Sequence, residues 1–263
     1  MDKYSKNKFA LSALTCLGLA LLVILFSLFY ETQQPVPNDL NAPTYPLKTS
    51  VNLPEPQYKP APQVDITELP HIPLSQSDSY ITSLIFNISN GMNLSPYLNR
   101  DNFIRRLVNF IDHIAQGQLH HSTSPTLRPQ EKFKPHTIDG KLYLDPENFH
   151  RYDFYAHALA NINLKNLSQI YTMVQPLLNE AFIELGYQEN QFHSTLLKAI
   201  DEIMKAPVIH QPIVVKHEQE NYKFVQPELE SLSPIQKLMI RMGPENTTRI
   251  QESLKEMSTY LEP

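Results

Sequence analysis

Apolar residues recur along this chain in two registers: one unbroken run near the N-terminus, then a helical period from Ser77 onward. Residues 78–90 place Ile81, Leu84, Ile85 and Ile88 on one stripe before Gly91, which predicts a helix and its stop. Residues 100–116 repeat the pattern with Phe103, Ile104, Leu107, Val108, Ile111, Ile114 and Ala115, closed by Gly117. The period is lost over 118–145. There, residues 133–138 and 141–144 flank Asp139-Gly140, a type I′ signal, so a short hairpin is expected.

Asp145-Pro146-Glu147 offers a cap, a first-turn proline and an acid, predicting a helix to about Ala160. Residues 163–185 form the longest helical pattern, with Pro176 inside it and a kink expected near Thr172. Residues 190–205 read as another amphipathic helix. Residues 213–216 and 222–225 read as a second hairpin, and 227–232 as one helical turn. Ser233-Pro234 caps a helix to Met242, and Gly243-Pro244 breaks it before a last helix over 245–261. Helices with one or two short hairpins, and no βαβ alternation, make the expected fold mainly α.

The N-terminal run from Phe9 to Tyr30 carries no charge and no proline. As a helix it reaches roughly 33 Å, enough for one pass through a hydrocarbon layer of about 30 Å. Lys3, Lys6 and Lys8 precede it, and no Lys or Arg follows until Lys48. Positive charge stays in the cytoplasm, so residues 1–8 are expected there and the C-terminal domain outside, in a bacterial periplasm. The run ends in Phe26-Ser27-Leu28-Phe29-Tyr30, without a small-x-small cleavage site, which favours an uncleaved inner-membrane anchor over a signal peptide. Cys16 lies within the run and is expected to pack in lipid.

Residues 31–73 hold ten of the 22 prolines and no glycine. They read as an extended spacer of up to roughly 100 Å, leaving 74–263 as the folded domain. Residues 71–263 carry 17 Lys and Arg against 21 Asp and Glu, with no basic block, which argues against nucleic acid as a partner. The only cysteine is Cys16, so thiol chemistry and disulfides in the exported domain are excluded. No phosphate loop, nucleophile elbow or paired-histidine metalloprotease motif occurs.

Three stretches carry a resemblance: NFHRYD at 148–153, PLLNEAFIELG at 176–186 and LSPIQKLMIRMGPEN at 232–246, with LPHIPLSQSD at 69–78 as an opening. The chain resembles the bacterial membrane-anchored family called "domain of unknown function 3014" over roughly 69–261. That resemblance implies the layout of anchor, spacer and one exported domain, and brings no activity, cofactor or catalytic residue.

Four constellations are weighed for chemistry. His120, His121, His136 and His150 are possible imidazole ligands, at spacings that match no known site, so no metal or other cofactor is expected. Glu180 and Glu184 share a helix face, where two carboxylates could serve glycan chemistry; catalytic pairs normally face each other across a cleft, and a solvated acidic face is the simpler reading. Asn148, Arg151 and Tyr152 open a helix, where Arg151 could hold a carboxylate or phosphate bidentately, or pair with Asp153 or an acid on a neighbouring helix and orient the packing. Lys237 and Arg241 stand at i, i+4 near Glu245 and Asn246; they either receive an anionic partner or pair internally with Glu245 or Glu230. The leading expectation is a membrane-tethered interaction or scaffold module, joined to the bilayer by residues 9–30 and to another envelope protein or an anionic envelope polymer by its domain. The alternatives are an envelope glycan hydrolase or transferase, acting through Glu180, Glu184 or His150, and a small-ligand or metal carrier.

Overall fold

The Asp78 carboxylate starts the packing. Its two oxygens accept from the Asn102 and Phe103 amides, both at 2.8 Å, and so cap the next helix from outside. This computed structural model describes residues 72–259, apart from 124, 128, 130–132 and 220. The anchor and nearly all of the spacer expected from the sequence lie outside the described residues, among which no helix is long and apolar enough to cross a membrane. The helices are α1 Asp78–Ile88, α2 Phe103–Ala115, α3 Asp153–Ala160, α4 Leu164–Glu184 and α5 Phe192–Met204. After the second hairpin come α6 Pro227–Glu230, α7 Pro234–Met242 and α8 Pro244–Thr259.

Helix α2 lies at the centre, with Phe103, Ile104, Leu107, Val108, Phe110, Ile111 and Ile114 all buried. It packs chiefly against α5 and α4, and α3 packs against α8. Asn102 takes a left-handed φ of 54° and delays the start of α2 from the expected residue 100. Since Asp78 serves amides that α2 leaves open, Asp78→Ala should lower stability by about 1–2 kcal/mol. Urea unfolding of the variant measures it. Asparagines tie the end of α1 to the start of α4: Asn166 Nδ2 donates to the Asn87 carbonyl and Asn90 Nδ2 to that of Asn161. Asn163 caps α4 by accepting from the Asn166 amide. Helix α4 runs on through Pro176 as a single element.

The fold is mainly helical, but the two hairpins are not separate. Strands β1 Pro135–Ile138, β2 Lys141–Leu144, β3 Val214–Glu218 and β4 Asn221–Phe224 make one antiparallel sheet in that order. Leu142 opposes Val215 and Tyr143 opposes Val214 across the join between hairpins. The first turn has φ 49° at Asp139 and 74° at Gly140, as a type I′ turn requires. A second, smaller core of Leu144, Ile213, Val215, Phe224 and Ile240 lies beneath the sheet. Helix α7 separates the two cores, turning Ile235, Leu238, Met239 and Met242 to the larger and Ile240 to the smaller.

One expected α-helix divides in two. Residues Pro146–Tyr152 form a 3-10 helix, capped by Asp145 through the Glu147 amide, and α3 follows only from Asp153.

Candidate functional site

The first and third sequence blocks meet where the 3-10 helix lies against the α7–α8 elbow. At the elbow, Gly243 has φ 85° and ψ 162°, and the space beside its Cα is filled by the Phe149 side chain. Asn246, 5% exposed, donates through Nδ2 to the Phe149 carbonyl at 3.0 Å, Asp153 Oδ1 at 2.9 Å and the Met242 carbonyl at 3.1 Å. Asn148, also buried, accepts from the Lys134 amide and donates to the Lys134 and Asp145 carbonyls. Asn148 therefore spends its amide pinning backbone, and Asn246 divides its own between two backbone carbonyls and the Asp153 carboxylate.

Arg151 lies along the same junction. Its Nε donates to the Asn148 carbonyl at 3.2 Å and a terminal nitrogen to the Tyr152 hydroxyl at 2.9 Å. Its guanidinium sits 5.9 Å from the Phe133 ring centre and 5.0 Å from that of Tyr152. Tyr152 itself is buried. The pairing of Arg151 with Asp153 considered from sequence does not form among the contacts seen here; His150 takes that place, its Nδ1 2.8 Å from Asp153 Oδ2. This hydrogen bond, outweighing partial burial, raises the His150 pKa, with Asp153, Glu147 and Glu245 adding negative field. A raised folded value means a contribution fully present below about pH 6.5 and lost as pH climbs through the folded pKa. In Asp153→Asn the His150 titration, followed by NMR, should fall back toward its ordinary midpoint.

Lys237 and Arg241 serve the sheet. Residues 222 and 224 of β4 turn their backbone groups away from β3, at the edge of the sheet. Arg241 donates to the Tyr222 carbonyl at 2.8 Å and lies over the Phe224 ring, while Glu230 Oε2 accepts from the Phe224 amide at 2.9 Å. Lys237 Nζ bonds Glu230 Oε1 and the Glu230 carbonyl, both at 3.0 Å. Together these side chains supply the donor and acceptor that a fifth strand would bring, and they close the edge. Burial alone would raise the Glu230 carboxyl; Lys237, the Phe224 amide and Arg241 outweigh it and hold the pKa below the usual value. Glu230→Ala should cost about 1–3 kcal/mol, because the Phe224 amide loses its acceptor. Thermal unfolding, with hydrogen exchange at Phe224, would read it.

A family model described as "Protein of unknown function (DUF3014)" matches residues 103–258. The chain belongs to that family. No curated protein and no solved structure matches the chain. The DUF3014 match takes in the 3-10 helix, the sheet and the α7–α8 elbow, and leaves out the opening stretch at 69–78.

Elsewhere in this DUF3014 chain the candidate groups disperse. Glu184 is held by Arg105 through two hydrogen bonds, at 2.6 and 2.9 Å. That bonding lowers the Glu184 pKa, so it stays a carboxylate and is poorly placed to act as a proton donor beside Glu180. The His120 ring lies tilted by 46° against His113 with ring centres 4.2 Å apart, and His136 Nδ1 lies 3.9 Å from Asp145. The side chain of His121 lies outside the described set. Among the described residues no group of three or more His, Cys, Asp or Glu is placed to hold a metal ion. Glu245 is exposed at the start of α8, where it faces solvent beside His150. Sequence reasoning missed Phe133, Glu230 as an edge acceptor, and Tyr222; only Glu230 had a local signal, as a possible partner of Lys237.

Proposed function

We propose that this chain is a membrane-tethered interaction module of the bacterial envelope, with residues 9–30 as an inner-membrane anchor, 31–73 as spacer and the folded domain displayed in the periplasm. The observation that carries it is the uncharged run of 22 residues behind Lys3, Lys6 and Lys8. The domain's geometry fits a display body rather than a reaction centre. Its Asn148, Arg151, Lys237, Arg241 and Asn246 side chains lock a sheet to a helical elbow and give a rigid surface that partners can meet. The test is crosslinking in living cells followed by purification, with a C-terminal alkaline phosphatase fusion reporting topology. Phosphatase activity and recovery of a discrete envelope component are expected. A silent fusion, or recovery of bulk envelope protein alone with a monomeric and inert domain, would overturn the reading.

A further inference from the structure

Among the described residues the sheet is covered on one face only. Leu144, Val215 and Phe224 turn inward to the small core. Alternation and register place His136, Ile138, Lys141, Tyr143, Val214, Lys216, Glu218, Lys223 and Val225 on the other side, where none is buried. Ile138 and Val225 stand 46% and 48% exposed there, apolar groups left to water at opposite edges of a surface dotted with lysines.

On the strands themselves this face carries more lysine than carboxylate. Lys141, Lys216 and Lys223 stand against Glu218, with Asp139 in the turn beyond and Asp145 beside His136 at the rim. Lys216 and Lys223 are directly opposed across β3 and β4, a like-charge pairing that costs a sheet stability. Glu218 relieves it by bridging both, at 3.1 and 2.8 Å. Glu218 takes one donor from each lysine, so both ammonium groups keep donors that face outward, on a side that packs against nothing described, toward a ligand of negative charge.

We propose that this open sheet face rests on the anionic headgroup layer of the bilayer that carries the anchor. The proposal builds on the tethered reading above. Three features select a lipid surface over other polyanions. The face is a sheet four strands wide, about 15–20 Å across, and broad enough to lie on a planar layer. Its cations are lysines, flexible point charges that reach headgroups along their stems, rather than arginine forks that select one bidentate group. Its exposed Ile138 and Val225 suit the shallow apolar insertion seen where proteins lie on a membrane. A spacer of about 40 residues between Tyr30 and the domain keeps the face within reach at high effective concentration. Each lysine at an anionic surface adds about fivefold in partitioning, so reversing all three removes a hundredfold or more.

The test uses the full chain with Cys16→Ser, carrying an environment-sensitive fluorophore at Val225→Cys or, as control, at Ser258→Cys on α8. The chain is placed in nanodiscs of phosphatidylcholine alone or with about one-third phosphatidylglycerol. The label at 225 should shift to the blue and resist aqueous iodide only in the anionic discs. The effect should vanish near 1 M salt, where the screening length falls to about 3 Å. It should vanish too in the combined Lys141→Glu, Lys216→Glu, Lys223→Glu variant, with Lys→Gln changes serving if that variant fails to fold. The label at 258 should stay quenchable throughout. Equal quenching at 225 in both kinds of disc overturns the proposal and leaves the tethered reading intact. Polyglutamate protecting the label equally well in neutral discs overturns it in favour of an acidic polypeptide. A chain that does not co-purify with discs at all overturns the tethered reading, and this proposal with it.

Discussion

Replacing Gly243 with alanine should lower the unfolding free energy by about 2–6 kcal/mol, a larger loss than at Gly117, Gly140 or Gly186. Two costs add. At φ 85° and ψ 162° the backbone sits where side chains are essentially not found, a strain of about 1–3 kcal/mol. A Cβ there would also lie 2.4, 2.5 and 2.9 Å from Phe149 Cγ, Cδ2 and Cβ, overpacking worth about 1–3 kcal/mol more. Phe149 has little freedom to retreat, since its carbonyl is held by Asn246 and its neighbour Asn148 by Lys134 and Asp145. Urea unfolding of Gly243→Ala, Phe149→Ala and the double variant separates the terms. The double variant should be less destabilised than the sum of the singles, because truncating Phe149 removes the two ring contacts and leaves the contact to its Cβ and the backbone strain. Strict additivity, or a loss below about 1 kcal/mol for Gly243→Ala, would mean that the ring does not wedge the elbow.

That elbow also marks where sequence reading stops. Its local signals were plain: Ser233 as a cap whose oxygen accepts from the Gln236 amide, Pro234 after it, and Gly243-Pro244 as a break. Likewise Asp139-Gly140 announced its turn, and the α2 stripe announced its buried side. Phe110 lies off that stripe and is buried all the same, because α2 is covered by both α4 and α5. The union of the two hairpins had no local signature. Leu142 and Val215 are joined by a register that the 3-10 helix and three α-helices between them bring about, and each hairpin alone reads as a half-buried pair. The 3-10 stretch from Pro146 was misread because Asp145 and Pro146 start either kind of helix equally well. Among candidate residues, Lys237 with Glu230 was legible as a near neighbour in sequence. Arg241 on the Tyr222 carbonyl was not, since an edge strand must exist before its carbonyl needs a donor. The exposed Lys216 and Lys223 pair was invisible for the same reason: only the register of β3 and β4 sets the two cations opposite one another.

Asn246→Asp should be about as damaging at neutral pH, costing about 3–5 kcal/mol, and the loss should depend on acidity. The side chain is 5% exposed, and in the native protein it is the donor to three oxygens: the Phe149 and Met242 carbonyls and Asp153 Oδ1. An aspartate offers those oxygens only more acceptors, and it faces the Asp153 carboxylate at hydrogen-bond distance. Two carboxylates so placed cannot both stay ionised cheaply, so a proton is bound more tightly in the folded variant than in the unfolded one. The folded pKa of the pair is therefore raised. Its penalty is fully present above that value and is relieved as pH falls through it, since the captured proton restores one donor. Asn246→Ala supplies the comparison: it loses the donor but adds no charge, and has no such relief. His150 also gains charge on acidification beside Asp153, so the comparison belongs in a His150→Gln background. Urea midpoints measured from neutral to acidic pH should then converge for Asn246→Asp and Asn246→Ala. An aspartate variant no weaker than the alanine one at neutral pH would show that the Asn246 amide does not face Asp153, and the interlock between the 3-10 helix and the elbow would have to rest on Phe149 alone.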